Sequence, residues 1–139
     1  MAQLIRELMT PQPITLPSDT SVQEAARTMR DTDIGDVLVD DDGQLRGIVT
    51  DRDLVIRGLA ERDDLSDMRL HEVCSEHVIT ARPDEEVDNV IAKMREHAIR
   101  RIPVVDNGEA VGMFSLGDAA MERDPRSALG DISAAQGNR

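Results

Sequence analysis

Aromatic side chains are almost missing from this chain. Of its 139 residues one is phenylalanine, Phe114, and there is no tryptophan or tyrosine. The core therefore has to be built from Ile, Val, Leu, Met and Ala. Cysteine is nearly missing too. Cys74 stands alone, so no intramolecular disulfide can form, and the cytoplasm is the expected location. Positive charge is scarce: 16 Lys and Arg face 28 Asp and Glu, a formal net charge of −12. Such a surface repels phosphate backbones and anionic lipid, which makes DNA, RNA and membrane poor partners. An anion can be held only by local arginines or backbone amides. No apolar run approaches the roughly 20 residues of a membrane span, and the opening MAQLIRELMT lacks the apolar core of a signal peptide.

What is present is one unit written twice. A shift of 65 positions aligns residues 7–54 with 72–119 without a gap. Ile14/Ile79, Thr15/Thr80, Asp19/Asp84, Val22/Val87, Met29/Met94, Ile34/Ile99, Val39/Val104, Gly43/Gly108, Gly47/Gly112 and Asp53/Asp118 are identical pairs. In each copy an apolar stripe at i, i+3, i+4 and i+7 predicts an amphipathic helix, over Val22, Ala25, Ala26 and Met29 and again over Val87, Val90, Ile91 and Met94. Two short β-type runs then flank a tight turn, DDG in the first copy and Asn107-Gly108 in the second, which predicts a hairpin. A second helix is expected to start at Thr50 and at Ser115. The fold class is thus α/β (α+β), with each repeat read as β-α-β-β-α. A unit of this size buries too little surface to stand alone, so the two are expected to pack face to face about a pseudo-two-fold axis. The expected boundaries are 4–60 for the first repeat, 61–70 for a polar connector with a helical turn, 71–122 for the second repeat, and 123–139 for a polar tail with a short helix.

The stretches GIVTDRDL (47–54) and GMFSLGDA (112–119) carry the chemistry. A Thr or Ser followed three places on by an acid is a helix cap, in which hydroxyl and carboxylate each accept a backbone N–H. The same groups also suit a nucleoside. A hydroxyl at a helix start can meet a phosphate or sugar oxygen, and an ionised carboxylate can accept from both hydroxyls of a ribose. Gly47 and Gly112, on the preceding strands, let a ring or another backbone come close.

With GIVTDRD and GMFSLGD closing the copies, and IGDVLVDDDG and IRRIPVVDNG before them, the chain resembles a tandem pair of CBS (cystathionine β-synthase) domains, or Bateman module, over about residues 4–122. MRDTDIGDVLV and TDRDLVIRGLA are similar to small stand-alone CBS proteins of the hypoxic-response and stress kind. The resemblance implies a non-catalytic regulatory module that binds AMP, ADP, ATP or S-adenosylmethionine in the cleft between the repeats. It implies that Asp53 and Asp118 hold ribose hydroxyls and that Thr50 and Ser115 contact ribose or phosphate. Ile14–Thr15 and Ile79–Thr80, with Val37–Leu38 and Ile102–Pro103, would line the adenine slot. Arg101 falls where the family often has a phosphate-binding basic residue.

The copies are unequal there. Asp36 matches Arg101 and Gly35 matches Arg100. A carboxylate 4 Å from a phosphate charge costs ~4 kcal/mol at an effective dielectric of 20. The second site is therefore expected to prefer a phosphorylated nucleotide, and the first to be empty or to take a less anionic ligand unless Arg52 supplies the missing charge. Leu38 also stands where the second copy has Pro103.

Other constellations are weaker. His71, Cys74 and His77 recur at intervals of three, a spacing compatible with zinc, but a fourth ligand is not evident. Asp40–Asp42 with Gly43 fits a hairpin turn better than a calcium loop. No Ser-His-Asp pattern, P-loop or paired-carboxylate motif supports catalysis. A homodimer is expected, through faces around Val55, Ile56 and Leu59 and around Ala119, Ala120 and Met121, with an unknown effector protein reading the output. The alternative is a stress-related structural protein with vacant sites that acts through its dimer surface.

Overall fold

Two Xaa-Gly turns set the geometry of the chain. Asp42 and Gly43 have φ of 55° and 78°, and Asn107 and Gly108 have φ of 52° and 84°. Two successive left-handed residues match the twist of the flanking strands, so both hairpins close with two-residue loops. The computed structural model describes residues 3–123; the expected tail helix lies outside these residues. In chain order the elements are α1 (Ile5–Leu8), β1 (Thr10–Pro11), β2 (Thr15–Leu16), α2 (Val22–Thr32), β3 (Asp36–Asp41), β4 (Gln44–Thr50) and α3 (Asp51–Asp53), which runs into a π-helix (Leu54–Leu59). A 3-10 turn (Leu70–Glu72), α4 (Val87–His97), β5 (Arg101–Asp106), β6 (Glu109–Ser115) and α5 (Leu116–Arg123) follow.

The stripes fold as amphipathic helices. Val22, Ala25 and Met29 of α2 are buried, as are Val87, Val90 and Met94 of α4. Ala26, expected on the inner face, is exposed: it sits at the edge of the stripe, where a methyl group covers little. Ser21 caps α2 by accepting the Glu24 N–H at 3.1 Å. Both helices end on a left-handed residue, Asp33 at φ 57° and Ala98 at φ 53°. The hairpins β3–β4 and β5–β6 even share a register shift at the same place, between Val39 and Asp40 and between Val104 and Val105.

The chain divides into two compact units at 13/14 and 78/79. One is the continuous stretch Ile14–Val78; the other combines the residues up to Pro13 with those from Ile79 onward. These compact units are cut differently from the sequence repeats, because each copy's leading segment completes the other copy's sheet. β1 pairs antiparallel with β6, Thr10 opposite Met113 and Pro11 opposite Gly112, giving a sheet ordered β1-β6-β5. The matching segment of the second copy does the same to the first. Ser75 bridges Ile48 on β4 through N–H···O bonds of 2.9 and 3.1 Å.

This exchange accounts for the two strand glycines. A Cβ on Gly47 would stand 2.6 Å from the Ser75 carbonyl oxygen, and one on Gly112 would collide with the Met9 thioether and stand 3.1 Å from the Thr10 oxygen. Of the two partners expected for these glycines, another backbone is the one found within the units. The leading segments are anchored by apolar side chains: Ile5 is fully buried with Phe114, Ile102 and Val104, and Leu70 with Val37, Val39 and Val49. Each such burial contributes about 2 kcal/mol.

The copies part at their first strand. In the first copy β2 lies parallel to β3, and the Leu38 N–H donates to the Ile14 carbonyl at 3.0 Å. In the second copy Pro103 has no N–H, the equivalent bond cannot form, and the strand shrinks to one bridge between Ala81 and Val104.

Candidate functional site

The hairpins bring the expected ligand residues together, once in each unit. In the first, β3 sets Asp36 opposite Thr50 at the open end of the hairpin, and the Asp51 N–H donates to the Gly35 carbonyl at 2.9 Å. Thr50 then caps the helix: the Asp53 N–H donates to Thr50 Oγ1 at 3.1 Å, and the Thr50 N–H donates to Asp53 Oδ2 at 2.9 Å. In the second, β5 sets Arg101 opposite Ser115, and the Leu116 N–H donates to the Arg100 carbonyl at 2.8 Å. The Asp118 N–H donates to Ser115 Oγ at 3.0 Å, and the Ser115 N–H to Asp118 Oδ2 at 2.9 Å.

The capping function is therefore real at both corners. It uses one oxygen of each carboxylate and leaves Oδ1 for other work. The cap also fixes that carboxylate beside its hydroxyl, so a donor reaching the corner meets an acceptor already held in place. Asp53 is mostly covered, its side chain 16% exposed.

Arg52, named as the residue that could supply the missing charge of the first corner, is exposed, and its backbone N–H donates to Asp51 Oδ1 at 2.8 Å. The cation beside Asp53 is Arg57. Its Nε lies 3.8 Å from Asp53 Oδ1, and its Nη1 donates to the Val73 carbonyl at 3.3 Å. The i, i+4 spacing of Asp53 and Arg57 would have revealed this pair from sequence.

The residues expected to line the adenine slot lie beside these corners. Val37, Leu38, Ile102 and Pro103 are buried in the sheets, Ile14 is exposed, and Thr15, Ile79 and Thr80 are half-buried. Thr15 sits next to Leu38 in the parallel pair of β2 and β3. In the second unit the bridge falls at Ala81, two residues beyond Ile79.

Three other expectations can be placed. Among the described residues no group of three or more His, Cys, Asp and Glu could hold a metal ion, so His71, Cys74 and His77 are not gathered as ligands. Burial, then the charges of Glu76 and Asp53, push the Cys74 thiol up, which keeps it protonated and unreactive at neutral pH. Asp41 belongs to the hairpin end: it accepts the Ser18 N–H at 3.0 Å and the Ser18 hydroxyl at 2.7 Å, and these bonds hold its carboxyl below the usual carboxylate range.

Comparison with known proteins agrees with this duplicated geometry. The family model "CBS domain" matches residues 5–59 and again 70–123. The chain is 32% identical over 126 residues to CBS domain-containing protein YhcV of Bacillus subtilis, covering 91% of this chain and 89% of that one. It is 30% identical over 116 residues to hypoxic response protein 1 of Mycobacterium tuberculosis, covering 83% and 81%. Among solved structures, Hypoxic Response Protein I with two coordinated zinc ions superposes with a TM-score of 0.78 at 29% identity, over 86% of this chain and 98% of that one. The CBS domain pair of protein MJ0100, solved with 5′-methylthioadenosine and S-adenosyl-L-methionine, also gives 0.78, at 30% identity over 91% and 100%. No helix among the described residues is long and apolar enough to cross a membrane. With both halves matched, the chain belongs to the CBS-domain family, as a tandem pair of CBS repeats similar to the hypoxic response proteins.

Proposed function

We propose that this CBS pair is a non-catalytic regulatory module that binds an adenine nucleotide or related adenosyl compound, and that the second copy supplies the nucleotide site. There Asp118 accepts ribose hydroxyls, Ser115 meets ribose or phosphate, and Arg101 neutralises phosphate. The observation that carries this is the register of β5 and β6, which sets Arg101 directly across from Ser115, three residues before Asp118. On a chain of net charge −12, a phosphate needs such a local cation. Pro103 adds to the case. It cannot donate to the Ile79 carbonyl as Leu38 does to Ile14, so an acceptor is left available to an exocyclic amino group. The adenosyl compounds bound by the MJ0100 pair give the ligand class.

In the first copy Asp36 takes the place of Arg101, and an uncharged or cationic adenosyl ligand fits better there. Binding would shift a population between two packings of the module, and a partner protein or a second copy would read the shift. The half-exposed Val55, Ile56 and Leu59 of the π-helix suit such a self-association, at 51%, 49% and 61% exposure. Ala119, in the other face expected to make this contact, is buried, which leaves Met121 as its exposed member.

The test is Asp118→Asn. An asparagine carbonyl still accepts the Ser115 N–H, so the cap survives, while its NH2 cannot accept a ribose hydroxyl. AMP is expected to raise the melting temperature of the wild type by several degrees and to lose at least ten-fold in affinity in Asp118→Asn, measured by thermal shift and calorimetry. Loss of AMP binding in Asp53→Asn instead would reverse the assignment. No response to AMP, ATP or S-adenosylmethionine would favour a stress protein acting through its π-helix face, a role that fits the hypoxic response relatives.

A further inference from the structure

The two corners have the same cap and differ at the carboxylate oxygen that the cap does not use. At the first corner Asp53 Oδ1 faces Arg57 Nε at 3.8 Å, while Arg57 Nη1 reaches the carbonyl of Val73, a residue that is itself fully buried. The guanidinium thus spans from the acid to the leading segment of the other copy, held at both ends. At the second corner the residue four places after the acid is Glu122, so the sequence has no arginine at that spacing.

We infer that Arg57 is a built-in competitor of ribose, which weakens the binding of adenosyl ligands at the first corner and leaves the second unhindered. The inference rests on reading Asp53 and Asp118 as ribose acceptors. A cis-diol needs two acceptor positions on one carboxylate. Asp118 has no arginine at i+4, and among the described residues only the cap bonds to its carboxylate; Asp53 offers its second oxygen only after Arg57 has been moved. Moving it breaks an ion pair and a charge-assisted bond to a backbone carbonyl, and leaves that carbonyl without its donor. Arg57 is half exposed, at 50%, so the barrier is modest and reversible, a reduction of about ten-fold in affinity. The same side chain would couple the two events. A ligand that displaced Arg57 from Asp53 would also release its hold on Val73, and so loosen the 3-10 turn that anchors the exchanged segment.

Adenosine, which carries no phosphate charge, separates competition from charge compensation. Calorimetric titrations would compare the wild type with Arg57→Met, Arg57→Met/Asp53→Asn, Arg57→Lys and Asp118→Asn, with circular dichroism confirming that each is folded. The wild type is expected to show one Asp118-dependent equivalent. Arg57→Met should gain a second, about ten-fold tighter than the first corner of the wild type, and Asp53→Asn should remove it again. Arg57→Lys, which keeps the charge but loses the fork, should fall between. Unchanged or weaker binding in Arg57→Met, with the wild-type site still lost in Asp118→Asn, overturns this inference alone. Wild-type binding indifferent to Asp118→Asn, or no binding in any of the five proteins, overturns the ribose assignment and the inference with it.

Discussion

The first and second corners share a backbone and a cap, and three of the positions at which they differ stand out. Asp36 faces Thr50 where Arg101 faces Ser115; Leu38 closes a bond that Pro103 leaves open; Arg57 sits on Asp53 where Glu122 follows Asp118. All three differences act in one direction. Under the proposed reading the second corner keeps the Arg101 cation opposite the cap, the Ile79 carbonyl and an acid with no arginine four places on. Both copies keep the hairpin and the cap, and they differ at the positions that the proposed function assigns to a ligand.

The comparison can be broken first at the glycines, where the largest effect is expected. A methyl group on Gly47 meets a backbone carbonyl that cannot turn away, whereas one on Gly112 meets mainly the flexible end of Met9. Gly47→Ala should cost about 2–3 kcal/mol and Gly112→Ala about 1 kcal/mol in urea unfolding. Equal costs would mean that the two exchanged segments are held alike.

A smaller effect is expected from exchanging the strand residues. Pro103→Leu restores the N–H that reaches Ile79, so it should stabilise the second unit by up to about 1 kcal/mol while weakening AMP binding three- to five-fold. Unchanged affinity would remove the Ile79 carbonyl from the site.

The smallest effect is a matter of pH. Asp41 has its carboxyl held down by Ser18, and the matching Pro83 of the second copy has neither an N–H nor a hydroxyl to offer. A depressed folded-state value means that this contribution is fully present above the ordinary carboxylate range, near pH 4, and is lost as pH falls through the lower folded-state value. Ser18→Pro should therefore narrow the gap between the urea midpoints at pH 7 and about pH 3. A gap as wide as in the wild type would show that Asp41 contributes nothing to acid sensitivity.

Much of this architecture was legible because its causes are local. Asp42-Gly43 and Asn107-Gly108 announce their turns, the stripes announce α2 and α4, and Thr50/Asp53 with Ser115/Asp118 announce their caps within four residues. The exchange of leading segments was not legible, since Thr10 and Met113 lie about a hundred positions apart and the pairing involves two-residue strands. Gly47 and Gly112 hinted at a close approach without naming what approached. The π-helix is also silent in sequence, because Leu54–Leu59 has nothing in composition to set it apart from an α-helix. Arg57 could have been found by spacing; Arg52 drew attention because it lies inside the motif.

The exchanged segments have a consequence for how the chain comes into being. Everything needed by the stretch Ile14–Val78 has been synthesised once residue 78 has left the ribosome, and that half can close without delay. Ile5 and Thr10 are made before any of it, yet Phe114 and Met113, which house them, are made about a hundred positions later. Ile5 thus waits about a hundred residues for shelter, so a nascent chain halted midway would carry one finished half and one unprotected, adhesive segment.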